Sequence, residues 1–261
     1  MLKLMIGAIA MAALTSCAST PPVPPAAKTE LAPTGKLRVG INYGNVLLAT
    51  KDPASGEFRG VAPDLARELG RRLGTPVEWV GYESAGKMAE AVKTGAWDIA
   101  FLGAEPARAG EIAFTPAYLE IEATYLVPAG SPIRNVAEVD REGIRIAVAD
   151  KAAYELYLTR TLQRAKLVRA PNLAASYELF VAEKLDALAG LKTFLLAEAP
   201  KIPGSRVLDG RFTGVQQAIA TPKPREAGAQ YLREFVADAK ASGLVAQAIE
   251  KHGVRGVSVA P

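Results

Sequence analysis

The chain holds one cysteine, Cys17, and one histidine, His252, among its 261 residues. Those two counts remove most nucleophilic and metal chemistry. A lone thiol has no disulfide partner, and a lone imidazole excludes a His-rich metal site and argues against a Ser-His-Asp triad. Cys17 closes the run Leu14-Thr15-Ser16-Cys17, behind Lys3 and an apolar stretch over roughly residues 4–14. A basic residue, a short apolar core and small residues before a cut make an export signal. Cleavage would leave Cys17 as the new N-terminus and commit its thiol there. Recognition by the exported part must then come from side chains other than a thiol and from backbone amides.

The apolar run is shorter than the about 20 residues a membrane-spanning helix needs. Its Leu-Thr-Ser-Cys ending resembles the lipobox of bacterial lipoproteins. That resemblance implies a signal peptide over residues 1–16 and a lipidated Cys17, held to a membrane by acyl chains at roughly 0.8 kcal/mol per buried CH₂. Pro21, Pro22, Pro24, Pro25 and Pro33 then stand among Ala, Ser and Thr. Such a segment favours extended polyproline II, so 17–35 is expected to be the lipidated Cys and a Pro-rich spacer. The formal net charge of +4 is spread along the chain, with no dense Lys/Arg run of the kind nucleic acid requires. No cofactor is implied. The remainder, about residues 36–261, is long enough for one large or two small domains.

The elements follow from periodicity. Leu37, Val39 and Ile41 alternate as a strand does, and Val61, Leu65, Leu69 and Leu73 repeat at helical spacing behind a loop at 42–60. Val77 and Trp79 mark a strand, 86–94 a short helix, and 97–102 a strand buried on both faces. With a further strand at 121–127 the order is β-α-β-α-β, a mainly parallel sheet covered by helices. The pattern then restarts: strand 144–149, helix 152–163, short strand 167–168, helix 173–183, strand 186–191, helix 193–199 and strand 215–221. Two helices close the chain. The segment Ala91–Phe101 and the segment Leu179–Ala189 each read as a helix end, a tight turn, an Asp (Asp98, Asp186) and a buried strand. Two lobes of like construction follow, with ligand sites outside the C-terminal ends of their strands.

Leu37–Ile41, Gly60–Ala66, Gly95–Ala100, Pro106–Ala109, Phe114–Tyr118 and Leu185–Leu188 fall in an ordered set. That set is similar to family 3 solute-binding proteins, which include the amino-acid receptors of bacterial ABC importers. The resemblance covers residues 36–252. It implies an α/β, two-lobed periplasmic-binding-protein fold (type II), each lobe a mainly parallel sheet flanked by helices, with two hinge crossovers. Lobe 1 would be 36–125 plus 221–261 and lobe 2 would be 126–220, with hinges near 126–128 and 218–221.

The same resemblance assigns the ligand's carboxylate to Arg108, in the loop 103–109 with Gly103, Ala104 and Glu105; a guanidinium matches a carboxylate bidentately. It also places Asn42 and Tyr43, after the first strand, at the ligand. Tyr82 and Ser84 follow the second strand and are further candidates. In lobe 2 the Asp that would pair with a ligand ammonium is absent. Leu191 and Lys192 stand there, and an unpaired buried ammonium costs several kcal/mol. A standard α-amino acid is therefore not the expected ligand, and Lys192 either attracts a second anionic group or is solvated. The loop Asp150-Lys151-Ala152-Ala153 lacks the family's hydroxyls but offers amides near Ala152, with Asp150 as the expected helix N-cap.

The expected function is that of a receptor lipoprotein in the cell envelope. It would be a monomer that clamps a small carboxylate-bearing solute and delivers it to the membrane permease of an ABC importer, without catalysis. Two alternatives stand: a cyclohexadienyl-dehydratase-like enzyme, for which Glu83 and Glu105 are the available acids, and a ligand-sensing envelope lipoprotein without a transporter.

Overall fold

The computed structural model describes residues 22–261; the signal segment and Cys17 lie outside the described residues. The chain begins with helix α1 (Pro25–Leu31) and strand β1 (Leu37–Asn42), followed by the small hairpin β2 (Thr50–Lys51) and β3 (Phe58–Arg59). Helix α2 (Val61–Leu73), β4 (Val77–Tyr82), α3 (Ala85–Glu90), β5 (Ile99–Gly103), β6 (Ile112–Phe114) and the long β7 (Leu119–Val127) complete the first half. The second half runs β8 (Arg145–Ala149), α4 (Ala153–Thr161), β9 (Lys166–Ala170), α5 (Leu173–Ala182), β10 (Ala187–Leu191), α6 (Lys192–Glu198), β11 (Arg206–Val207) and β12 (Thr213–Pro222). Helices α7 (Glu226–Ala241) and α8 (Leu244–Lys251) and strand β13 (Val257–Val259) end it.

Local chemistry explains these elements. The alternating Leu37, Val39 and Ile41 of β1 are fully buried, each worth about 1.5–3 kcal/mol on leaving water. The i, i+4 leucines of α2 are buried likewise. That helix stops at Gly74, which takes φ 59 and returns its N–H to the carbonyls of Gly70 and Arg71, a left-handed cap that a side chain would disfavour.

The principal sheet runs β4-β1-β5-β12-β7-β10-β8-β9. The first three strands are mutually parallel, as are β10, β8 and β9. Between these blocks β12 and β7 pair antiparallel, and they are the two crossovers. On β7, Leu119–Ala123 faces β12 while Ala123–Leu126 faces β10. On β12, Thr213–Gln217 faces β7 while Gln217–Ala220 faces β5. The partners thus change at Ala123 and Gln217, a few residues before the expected boundaries.

The repeat is visible as chemistry. The carboxylate of Asp98 accepts from the backbone N–H of Arg38, whose carbonyl accepts from the Asp98 N–H in return. Asp186 and Arg145 make the same reciprocal pair in the other lobe. Asp98 is fully buried and also carries the guanidinium groups of Arg38 (2.8 Å) and Arg225 (2.9 Å). Asp186 is partly exposed and reaches the Arg145 guanidinium only at 4.0 Å.

Residues 25–31 correct the expectation of an extended spacer. Pro25 occupies the first helical position, where its missing N–H costs nothing. Ala27 and Leu31, one helical turn apart, are fully buried. Leu31 packs over Gly228 of α7, where any Cβ would come within 2.9 Å of it, and Glu30 accepts the Gly228 N–H at 2.7 Å. The segment is thus part of the first lobe. The short strands β6 and β13 also escaped the periodicity, being three residues each.

Candidate functional site

The C-terminal ends of β1 and β5 face those of β8 and β10, as the parallel blocks require. Ile41, Asn42, Met88 and Phe101 from one side and Tyr154 and Leu191 from the other enclose a cavity of about 60 Å³. That is far below the about 300–1,000 Å³ common for small-molecule sites. The reason is direct contact between lobes. A Cβ on Gly103 would stand 2.8 Å from the Cβ of Ala153, and one on Gly86 would stand 2.8 Å from the Cβ of Lys151. The cleft is shut on small residues.

Arg108 does not line this cavity. It is 7% exposed. Its Nη1 donates to the Gly103 carbonyl at 2.5 Å and its Nη2 to the Lys151 carbonyl, across the cleft, at 2.7 Å. Burial lowers its pKa to about 10, against the opposing pull of Glu105 and Glu155. The guanidinium expected to hold a ligand carboxylate is thus engaged by main-chain oxygens. Lys151 is held for this role: its φ is 53, rare for a side chain with a Cβ, and its N–H donates to Glu155 at 3.1 Å. Its ammonium pairs with Glu90 of α3. Glu105 meets Arg160 of α4 at 2.7 Å, a third bond between the lobes on the same side.

Of the expected site residues, Asn42, Ser84, Gly103 and Ala152 line the narrow cavity. Asn42 Oδ1 accepts the Gly44 N–H, and Ser84 Oγ caps α3 by accepting the Lys87 N–H. The other six point elsewhere. Besides Arg108 and Glu105, Tyr43 leans on Phe58 at 6.3 Å, and Tyr82 packs on the Met88–Trp97 cluster. The Ala104 N–H is used by Gln216, and Lys192 is paired with Glu122 at 2.7 Å. Asp150 is not the N-cap of α4, a place taken by Ala152, but lies 3.8 Å from Arg169.

Sequence reasoning missed Asn45, Asn172 and Gln217, which add amide groups to the cavity wall. Asn172 could have been found as the cap before the α5 leucines, since its Oδ1 accepts the Ala175 N–H. Gln217 had no such signal, because it reaches the cleft from a crossover strand. The carboxylates on this wall are already paired, Glu83 with Lys87 at 3.0 Å and Asp150 with Arg169. What remains is apolar surface with neutral amides and the hydroxyls of Ser84 and Tyr154, which suits an uncharged portion of a ligand.

Comparison with known proteins agrees with this architecture. A glutamine-binding protein of Geobacillus stearothermophilus is 24% identical over 199 residues, covering 72% of this chain and 73% of that protein. The solute receptor for L-cysteine of Neisseria gonorrhoeae superposes with a TM-score of 0.75 at 22% identity, over 88% of this chain and 94% of that one. An ancestral amino-acid-binding protein, a precursor of cyclohexadienyl dehydratase, superposes at 0.71 with 24% identity, over 86% and 98%. These likenesses carry the two-lobed type II fold. The profile of the bacterial extracellular solute-binding proteins, family 3, matches residues 37–255. With most of its length inside that match, and with two like lobes closing on a cleft at their strand ends, the chain belongs to this family.

Proposed function

We propose that this protein is the solute receptor of an ABC importer, exported and lipid-anchored through Cys17, and that it captures a small solute by closing its lobes. The observation that carries this reading is the set of bonds between lobes, led by Arg108 to the Lys151 carbonyl. They give the closed form a defined geometry that a permease can recognise, and a bound solute adds to them by touching both sides. Arg108 serves as a latch in this scheme.

A standard α-amino acid remains disfavoured, because Leu191 lies in the wall and the nearby acids are paired. The relatives named for glutamine and cysteine therefore speak for the clamp, and their cargo stays with them. Binding without turnover is the better-supported reading. Glu105 and Glu83, the acids a dehydratase-like reaction would use, are bound to Arg160 and Lys87.

Native mass spectrometry of the purified protein, paired with small-angle scattering, tests the proposal. A co-purified small molecule whose removal expands the protein is the expected result. No bound molecule, and no contraction with any member of a broad solute panel, would overturn it.

A further inference from the structure

Two carboxamides in the wall of the cleft have their side chains unpartnered. Gln217 is 6% exposed and Asn45 9%, both line the narrow cavity, and neither side chain donates or accepts a hydrogen bond among the described residues. The other polar side chains of that wall are engaged. Asn42, Ser84 and Asn172 each accept a backbone N–H, and Tyr154 Oη accepts that of Ala149 at 3.2 Å. Glu83 and Asp150 are paired with cations. Buried polar groups are nearly always bonded, because an orphaned one forfeits the bonds it made to water. A ligand group that bonds these two amides restores what burial took away.

Gln217 is the residue at which β12 changes partner: its Cα lies opposite both Gly103 of β5 and Leu119 of β7. It therefore stands on the floor between the lobes. Its Nε2 is 3.8 Å from where a Cβ on Gly103 would be, beside the contact of Gly103 with Ala153. Asn45 joins the wall from the β1–β2 loop of the first lobe. Charge decides what kind of group they meet. An entering cation would find carboxylates already matched by Lys87 and Arg169. An entering anion would find no free cation in the wall, since Arg108 lies outside it and is bonded to main-chain oxygens. An uncharged group with a donor and an acceptor fits both polar atoms of a carboxamide. A second carboxamide edge presents the two side by side and forms two N–H···O bonds with the first.

We propose that Gln217 and Asn45 set the specificity of the cleft, and that they select a solute bearing an uncharged carboxamide-type group: a primary amide, a urea or a lactam. Gln217 takes the edge of that group at the floor, where a pivot residue meets the solute both before and after closure. The lobes part to admit it, because the shut cavity measures about 60 Å³. The assignment rests on the solute-clamp reading above.

Calorimetric titration of the purified protein with butyramide and hexanamide tests it, each amide against the ketone of the same shape (2-pentanone, 2-heptanone) and the matching carboxylate. The amides should bind about tenfold more tightly than either. Gln217→Met, similar in size and apolar, should bring the amides down to the level of the ketones. Its melting temperature should not fall, because the replaced side chain makes no bond in the protein; a residue with a merely structural role would lose stability. In nitrogen-labelled protein, the side-chain amide signal that Gln217→Met deletes should shift on adding butyramide. Equal binding of amide and ketone, failure of both amides to bind, or an amide preference that survives Gln217→Met would overturn the assignment. A solute without such a group that contracts the protein would also overturn it while leaving the clamp intact; the absence of any contracting solute would remove both.

Discussion

The guanidinium of Arg108, carried by the lobe that contains β5, donates at 2.7 Å to the main-chain carbonyl of Lys151, carried by the opposite lobe. A side chain is thereby matched to a backbone atom, so the bond depends on the left-handed conformation of Lys151 and on the identity of residue 108, and not on the Lys151 side chain. Hydrogen bonds to a charged group are worth about 1.5–3 kcal/mol. Arg108→Ala should therefore shift the unliganded protein toward an open form, read as a larger radius of gyration in small-angle scattering. Lys151→Ala should keep most of the closed population, since only the Glu90 pair is lost. Equal radii for wild type and Arg108→Ala would exclude the latch.

Gly103 faces Ala153 with no room for a Cβ, which would stand 2.8 Å away. Gly103→Leu should block closure without harming either lobe. The expected result is a permanently expanded particle, a melting temperature within a few degrees of wild type and at least tenfold weaker solute binding. Retained compactness in scattering would contradict the contact.

The two aspartates of the repeat make a matched comparison. Asp98 is buried between two arginines and Asp186 is partly exposed. Removing one member of a buried charge network costs about 3–5 kcal/mol, against about 0–1 kcal/mol for an exposed ion pair. Chemical denaturation should show Asp98→Ala strongly destabilised. Asp186→Ala should lose far less, limited to the backbone bond its carboxylate accepts.

Acid should unfold the first lobe through Glu68. Bonds from Arg71 hold its pKa down at about 2, against some opposing burial and with help from Arg72. A carboxylate with a depressed folded pKa stabilises fully above its unfolded value, here near 4.5, and that contribution fades as pH falls toward 2. Melting temperature should thus fall with pH in this window, and Glu68→Gln should flatten the fall. An unchanged slope in the variant would remove Glu68 as the source.

Much of this fold was legible because it repeats simple periods. The alternation of β1, the leucines of α2 and the two Asp-strand units each found their element within a few residues. The site was less so. Arg108 stands in the loop after β5, but a motif locates a backbone, and the direction of the side chain is decided by how Gly103, Ala153 and Lys151 meet. The cavity wall draws on segments as distant as Asn45 in the β1–β2 loop, Asn172 before α5 and Gln217 on a crossover strand, a convergence that no local pattern records. Helix α1 was hidden by composition: the prolines around it read as extended chain, yet Pro25 sits where a helix accepts it, and Ala27 and Leu31 with the Glu30 carboxylate dock it.

The docking of α1 on α7 sets a mechanical asymmetry. Residues 18–24 can span at most about 25 Å at about 3.3–3.6 Å per residue. With Cys17 as the anchor proposed above, a tether that short joins a rigid part of the first lobe, at Leu31 and Gly228. One jaw is then the tethered member, kept within that reach of the bilayer, and the other is the moving arm. Closure becomes a swing of the free lobe against the leashed one, and it leaves the docking of α1 on α7 undisturbed.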